Sequence, residues 1–307
     1  MTVYILRRIL VSLGLILAIM TLVFVMLRVA LPGDPATTMA GDRASPELIE
    51  QIRSNLGLDR SIPEQFLIFV GNAIRGDLGL SIQLRKSVFQ LIADAFPVTV
   101  VLTFLSVTVG TVLGLVIGIV TAIKRGTWID NASIVGVVFF YSIPSFWLGL
   151  MLILFFSVQL RLLPVQGSGT WQHFVLPTAT LGVGQAALIA RLTRASMIET
   201  LSAAYIQTAR AKGLAERRVV FRHAVKNTLI PIVTIVGLSI GGLLGDAVIT
   251  ENIFGLPGVG RLAIEAIHDR DYPVIQGTVL LVATAFVFVN LIIDILYVYI
   301  DPRIRYQ

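Results

Sequence analysis

Six ionisable side chains fall within or at the edges of long apolar runs: Arg28, Arg191, Arg194, Asp246, Glu251 and Asp294. A charge at membrane depth is costly, so such a residue marks a substrate path, a relay or an ion pair unless its side chain reaches the interface. Arg28 and Asp294 lie near the ends of their runs. Arg191 and Arg194 sit where another run gives way to a basic segment. Asp246 and Glu251 stand about a turn and a half apart near the end of a long apolar run, directly before ENIFGLPGVGRL (Glu251–Leu262). In that string Gly255, Pro257, Gly258 and Gly260 interrupt a helix. Asp246 and Glu251, with the Pro257–Gly258 turn, are therefore candidates for a gate or for substrate contact.

Other chemistry is scarce. His173, His223 and His268 are far apart, and none has a carboxylate or second histidine at helical ligand spacing, so they read as interfacial histidines and no metal site is expected. The absence of cysteine removes disulfides, thiolate nucleophiles and cysteine metal ligands. The sequence has no phosphate-cradling G-x-x-x-x-G-K-[ST], no H-E-x-x-H and no G-x-S-x-G. No cofactor and no catalytic residue is expected, and work driven by ATP would need an ATPase on another chain.

What must position these residues is a membrane-embedded scaffold. The 307 residues are 56% hydrophobic and 14% charged, and the mean hydropathy is +0.86, which is the balance of a chain dissolved in lipid. The formal charge of +6 does not indicate nucleic acid, because the basic residues lie between apolar runs and form no face. Six spans are expected: Ile9 to Leu31, Pro97 to Ile123, Ile134 to Gln159, Phe174 to Ala190, Leu229 to Phe254 and Val274 to Ile300. The first follows Arg7 and Arg8, and it is too long for a signal peptide with a poor cleavage pattern behind it. The fourth carries Pro177, Thr178, Thr180, Gly182, Gly184 and Gln185, which suit a helix packed inside a bundle.

Basic residues set the orientation. With the amino terminus inside, the cytoplasm receives Arg7, Arg8, Lys124, Arg125, the Arg191 to Lys226 segment, Arg303 and Arg305, which is 14 of 24 basic residues. Both termini are then cytoplasmic. Pro32 to Phe96, with eight acidic against six basic residues, lies outside. This piece is too small for a confident core of its own and should lean on the bundle. Pro46 to Leu56 within it reads as a short helix with Ser45 as N-cap and Gly57 at its end. The fold class is therefore an all-α integral membrane protein of six transmembrane helices, with a small external domain between the first two.

Two glycine series recur every four residues, Gly110, Gly114 and Gly118 in the second span and Gly237, Gly241 and Gly245 in the fifth. Each predicts a smooth stripe for close helix approach. The cytoplasmic segment Ser202 to Thr234 reads as a helical stretch to Lys212, a stop at Gly213, a restart through Glu216 to Lys226, and entry into the membrane before Pro231. Two short helices joined at a glycine make a protruding knob. As a plain basic loop the same charges would hold the anionic inner leaflet.

At this segment the chain resembles the permease subunits of bacterial ABC importers. YIQTARAKGL (Tyr205–Leu214) is similar to their E-A-A-x-x-x-G loop, in the variant of the dipeptide, oligopeptide and glutathione group. Gln207, Thr208 and Ala209 take the E-A-A places and Gly213 the glycine; Gln207 replaces glutamate and Pro231 comes late, as is usual in the peptide group. LPGDPA (31–36), LGLDRSIPEQF (56–66), GDLGLSI (76–82), IPSFWLGL (143–150), ENIFGLPGVGRL (251–262), RDYPVIQG (270–277) and YIDPRIRY (299–306) resemble segments of these permeases in the same order. WQHFVLP (171–177) is similar to the glutathione branch.

The resemblance implies the type I importer permease fold: residues 1–96 as the first transmembrane helix plus an extracytoplasmic region, 97–301 as the permease core with a coupling loop at 199–228, and 302–307 as a cytoplasmic tail. It implies a pore-forming, non-catalytic subunit of the bacterial cytoplasmic membrane that moves small peptides. It also implies as partners a second homologous permease, two cytoplasmic ABC ATPases and an extracytoplasmic peptide-binding protein. Tyr205, Gln207, Thr208, Ala209, Arg210, Lys212, Gly213 and Leu214 become the expected ATPase-coupling residues. An ion-coupled secondary transporter would show inverted repeats and midplane acids, and a membrane hydrolase would need a Ser, Asp or His constellation within the spans; neither pattern is present.

Overall fold

The computed structural model describes residues 2–29, 36–37, 45–55, 57 and 59–300. LPGDPA up to Pro35, the end of the first predicted span at Leu31, Leu56, Leu58, and the tail with Arg303 and Arg305 lie outside the described residues, as does the side chain of Arg28. Helices account for nearly everything described. They run α1 Thr2–Val29, α2 Pro46–Asn55, α3 Ile62–Ile74, α4 Val88–Ile123, α5 Trp128–Ser142, α6 Ser145–Leu152 with a π-helical continuation Ile153–Gln159, and α7 Gln172–Ser202. Then come α8 Ala204–Ala211, α9 Glu216–Arg218 with a π-helical continuation Val219–Ala224, α10 Val225–Phe254, α11 Val259–His268 and α12 Tyr272–Ile300. Among the described residues the only β pairing is an isolated bridge between Leu80 and Ser87.

Five of these helices, α1, α4, α7, α10 and α12, are long and apolar enough to cross a membrane singly. The expected third span departs from a straight rod: α5 and α6 meet at 99°. Pro144 is the cause. Its ring fixes φ at −59° and clashes with a helical predecessor, so Ile143 is extended at φ −78°, ψ 125° and the helix restarts after it. The second span also begins earlier than expected, at Val88, with Pro97 inside α4. At 1.5 Å per residue its 36 residues reach about 54 Å, well beyond the roughly 30 Å hydrocarbon core.

The chain forms two compact units, Val100–Leu256 with Val289–Gln307, and Thr2–Thr99 with Pro257–Phe288. In the first unit α4 lies directly against α7. A Cβ placed on Gly110, Gly114 or Gly118 would come within 2.7, 2.6 and 2.5 Å of the Cβ atoms of Gln185, Ile189 and Thr193. Real side chains never approach so closely, so the glycine stripe expected from the spacing is the seam on which α7 packs. That explains why α7 is the most polar span yet the most enclosed: 61% of its apolar window is buried, against 17–28% for the other spans.

The α10 stripe is only partly a seam. Gly237 is closed by Ile293 of α12, whose Cγ1 lies 2.7 Å from a built Cβ. Gly241 is buried. Gly245 meets nothing within 4 Å, so within this chain the stripe is not packed at that position. The reason is that α10 turns a different side toward its neighbours there, and the side bearing Gly242 and Gly245 is open.

In the second unit, Phe24 of α1 meets Phe66 and Phe69 of α3 with ring centroids 5.4 and 6.0 Å apart, so part of the expected external piece leans on the first helix. Ser45 accepts a hydrogen bond from the Leu48 N–H and caps α2 as expected. Val88, Ile92, Ala266, Val274 and Ile275 form a buried cluster joining α4, α11 and α12. The loop before α4 is tied to the α11–α12 turn by the Ser81 hydroxyl and the Gln83 N–H, both donating to Asp271 Oδ2.

Candidate functional site: a basic knob and a cavity between spans

The knob is built from the end of α7 onward. The α7 helix stops at Ser202; Ala203 is extended at ψ 147°, and α8 starts at once. After Ala211 the chain turns through Gly213 at φ +75°. The Gly213 and Leu214 N–H groups donate back to Arg210 O and Ala209 O at 2.9 and 3.3 Å, which closes the helix with a left-handed residue. Glycine is required there because a β-carbon is strained at positive φ. A Cβ at Gly213 would meet nothing within 4 Å, so backbone conformation alone makes the demand.

The eight expected coupling residues divide into two sets. Ala209 is buried, and Leu214 packs against a cluster formed by Ala122, Met197, Ile206, Val219, Val220 and Ala224. These two hold the knob to its own bundle. The π-helical turn at Val219–Ala224 adds one residue to the helical repeat and brings Val219, Val220 and Ala224 together on the cluster. Tyr205, Gln207, Thr208, Arg210, Lys212 and Gly213 are exposed.

Several of the exposed residues are already fixed by the knob. The Tyr205 hydroxyl accepts from Asn227 Nδ2 at 2.8 Å, and Thr208 Oγ1 donates to Ala204 O at 3.0 Å. Arg210 donates from Nε and Nη2 to both oxygens of Glu216 at 3.1 and 2.6 Å. That fork holds the Glu216 carboxyl below its usual range and raises the guanidinium above its own. Lys212, Arg217 and Arg218 remain on the exposed surface. The knob thus presents a polar and basic face with two exposed aromatic rings, Tyr205 and Phe221.

In the same unit, α5, α6, α7 and α10 line an open-sided cavity of about 310 Å³. Its wall includes Tyr141, Ser145, Thr180, Gln185, Ser239 and Asp246. Gln185 Nε2 donates to Ser239 Oγ at 2.6 Å, joining α7 to α10. Of the four expected gate residues, Asp246 lines this cavity and Glu251, five residues on, is fully buried. The helix does break where the glycines stand: Gly255 caps α10 at φ +60°, and Gly258 precedes α11. Pro257 and Gly258 belong to the other compact unit.

One residue escaped the sequence reading. Asp130, 2% exposed, is held by Arg194 and by the Gly126 N–H at 3.0 Å. Arg194 is therefore a paired residue and not a free interfacial cation. Among the described residues no group of three or more His, Cys, Asp or Glu side chains is placed to hold a metal ion.

Residues 114–306 match the family described as the binding-protein-dependent transport system inner membrane component, and residues 1–103 match its N-terminal membrane component. The glutathione transport system permease protein GsiC of Escherichia coli strain K12 is 43% identical over 304 residues, 99% of each chain. Its counterpart in Pectobacterium atrosepticum is 44% identical over the same share. Among solved structures, an inward-facing form of the MetNI methionine ABC transporter superposes with a TM-score of 0.58 at 22% identity, covering 69% of this chain and 97% of that one. An amino acid ABC transporter with histidines gives 0.54 at 19% identity, covering 68% and 93%. These two likenesses speak for the fold.

Proposed function

The chain belongs to the family of binding-protein-dependent transport system inner membrane components, and on that premise we propose that it imports small peptides, glutathione-like ones included. It is a multi-pass permease subunit of an ABC importer, a transport component whose ATPase is a separate subunit. In our reading it forms the pore with a second, homologous permease, receives substrate from an extracytoplasmic binding protein, and is driven by two cytoplasmic ATPases. Both termini are cytoplasmic. The exposed face of α8, with Tyr205, Gln207, Thr208, Arg210 and Lys212, docks on the ATPase. Gly213 sets the turn that aims it, and Ala209 and Leu214 carry the motion into the bundle. Asp246, Glu251 and the Pro257–Gly258 turn lie along the path or at its outer closure.

The observation that carries the substrate class is 43% identity running through 99% of both this chain and glutathione permeases. Likeness confined to the core would have spoken for the scaffold alone. The test is reconstitution in proteoliposomes with the second permease, the ATPases and the binding protein encoded beside it. ATP-dependent uptake of glutathione or a dipeptide, lost when the binding protein is omitted, is the expected result. Uptake of an unrelated solute class, or uptake driven by an ion gradient without ATP, would overturn the reading.

A further inference from the structure

The cavity among α5, α6, α7 and α10 mixes apolar side chains, Phe140, Leu148, Leu181, Leu188 and Leu243 among them, with a smaller set of polar ones, as small-ligand sites do. A groove facing hydrocarbon would expose apolar side chains, because an uncompensated polar group there costs several kcal/mol by the usual order of magnitude. Here Thr180 and Gln185 of α7, Ser239 and Asp246 of α10, Tyr141 at the end of α5 and Ser145 at the start of α6 interrupt the apolar lining. Gln185 is 5% exposed and spends its amide N–H on Ser239, so part of the wall is fixed. Asp246 is different. It is exposed on the open side of α10 beside Gly242 and Gly245, and no basic side chain among the described residues pairs with it. Arg191 of α7 lies over the ring of Tyr141, 5.6 Å from its centroid, and is not itself in the lining. The charge that the cavity presents is therefore a single negative one.

We propose that this cavity is a waypoint for the transported peptide and that Asp246 binds its cationic amino terminus there. The proposal rests on the peptide-importer reading above. A volume of about 310 Å³ is at the small end of ligand pockets, which suits the leading residues of a peptide and not a packed protein segment. An ammonium leaving water needs a compensating charge, and the Asp246 carboxylate supplies one. Gly242 and Gly245, with no atom within 4 Å of a built Cβ, leave the approach to Asp246 clear.

The absence of cysteine allows a direct test. Gly242→Cys places a thiol on the lining, and the whole reconstituted complex is treated with positively and negatively charged methanethiosulfonates, the modified chain being read by mass. Normalised to their rates with a small free thiol, the positive reagent should react about tenfold faster than the negative one, which corresponds to about 1.4 kcal/mol between the two reagent charges. Adding Asp246→Asn should bring the two rates within about twofold of each other, and Asp246→Glu should restore the bias. A dipeptide at millimolar concentration on the cytoplasmic side should slow the labelling, and its N-acetylated analogue should not. Equal rates with Asp246 present would overturn the proposal. So would reaction only with a membrane-permeant maleimide, which would make the groove lipid-facing, or no reaction at all, which would mean a partner helix covers it. ATPase stimulation by loaded binding protein in the same vesicles separates the claims. If it persists while the labelling pattern fails, only the waypoint falls; if it is absent, the importer reading falls as well.

Discussion

Arg194 of α7 grips Asp130 of α5 through two parallel hydrogen bonds, Nε to Oδ1 at 2.7 Å and Nη2 to Oδ2 at 2.9 Å. The carboxylate is 3% exposed and the guanidinium 26%. A forked pair with that little water is geometrically selective. It fixes the start of α5 to the helix that runs on into the knob.

Removing one partner strands the other, so Asp130→Ala and Arg194→Ala should each lower the melting temperature of the detergent-solubilised complex. The double variant should be no worse than the worse single, because the second change removes a group that had already lost its partner. Additive losses would show that the two residues act apart.

The α4–α7 seam makes a steric prediction. Gly114→Leu must displace Ile189 or the Ala186 carbonyl, which lie 2.6 and 2.8 Å from a built Cβ, and overpacking of this kind costs about 1–3 kcal/mol or more. Gly136→Leu, where nothing lies within 4 Å, is the control. On α10 the same logic makes Gly237→Leu damaging and Gly245→Leu tolerated by the isolated chain. Yield and monodispersity after purification read both comparisons, and equal tolerance within either pair would refute the packing account.

Much of this was legible in the sequence, and the failures have physical causes. The period of four at Gly110, Gly114 and Gly118 found its seam because a helix keeps one face through such a period. The polarity of α7 foretold its burial. The stop at Gly213 was visible because only glycine tolerates that φ cheaply. By contrast, the pairing of Asp130 with Arg194 joins residues 64 apart in the chain, and no local pattern encodes such a contact. Pro144 was read as part of a recognised string, although a proline after Ile143 was itself the signal for a broken span. The loop motif is linear and does not tell its exposed members from Ala209 and Leu214, whose burial depends on the cluster below them.

Topology is open to labelling in this cysteine-free chain. A cysteine at Ser54 should react from the outside and one at Ala215 only from the cytoplasm, since basic residues concentrate on the cytoplasmic side. The reverse pattern would invert the orientation.

The Arg210–Glu216 fork should matter little to function. Glu216 has its carboxyl held low by Arg210, so its contribution is present above the ordinary carboxylate range and is lost as pH falls through the depressed value. Both side chains are substantially exposed, at 41% and 59%, and salt screens such pairs. Glu216→Gln should keep the uptake rate within about twofold of the parent at neutral pH. Gly213→Val should do more harm, because a β-branched residue resists φ +75°. The complex should assemble weakly, or hydrolyse ATP without moving peptide. Normal copurification with normal uptake would remove the turn from the coupling account.

The central claim is that the outer face of α8 meets the ATPase, and crosslinking tests it most directly. Thr208 is exposed and Ala209, the next residue, is buried. In the assembled importer, a photoreactive maleimide on Thr208→Cys should capture the ATPase chain, while the same reagent should leave Ala209→Cys unmodified in the folded complex. Capture of lipid alone by Thr208→Cys, with the ATPase copurifying but never crosslinked, would contradict the account.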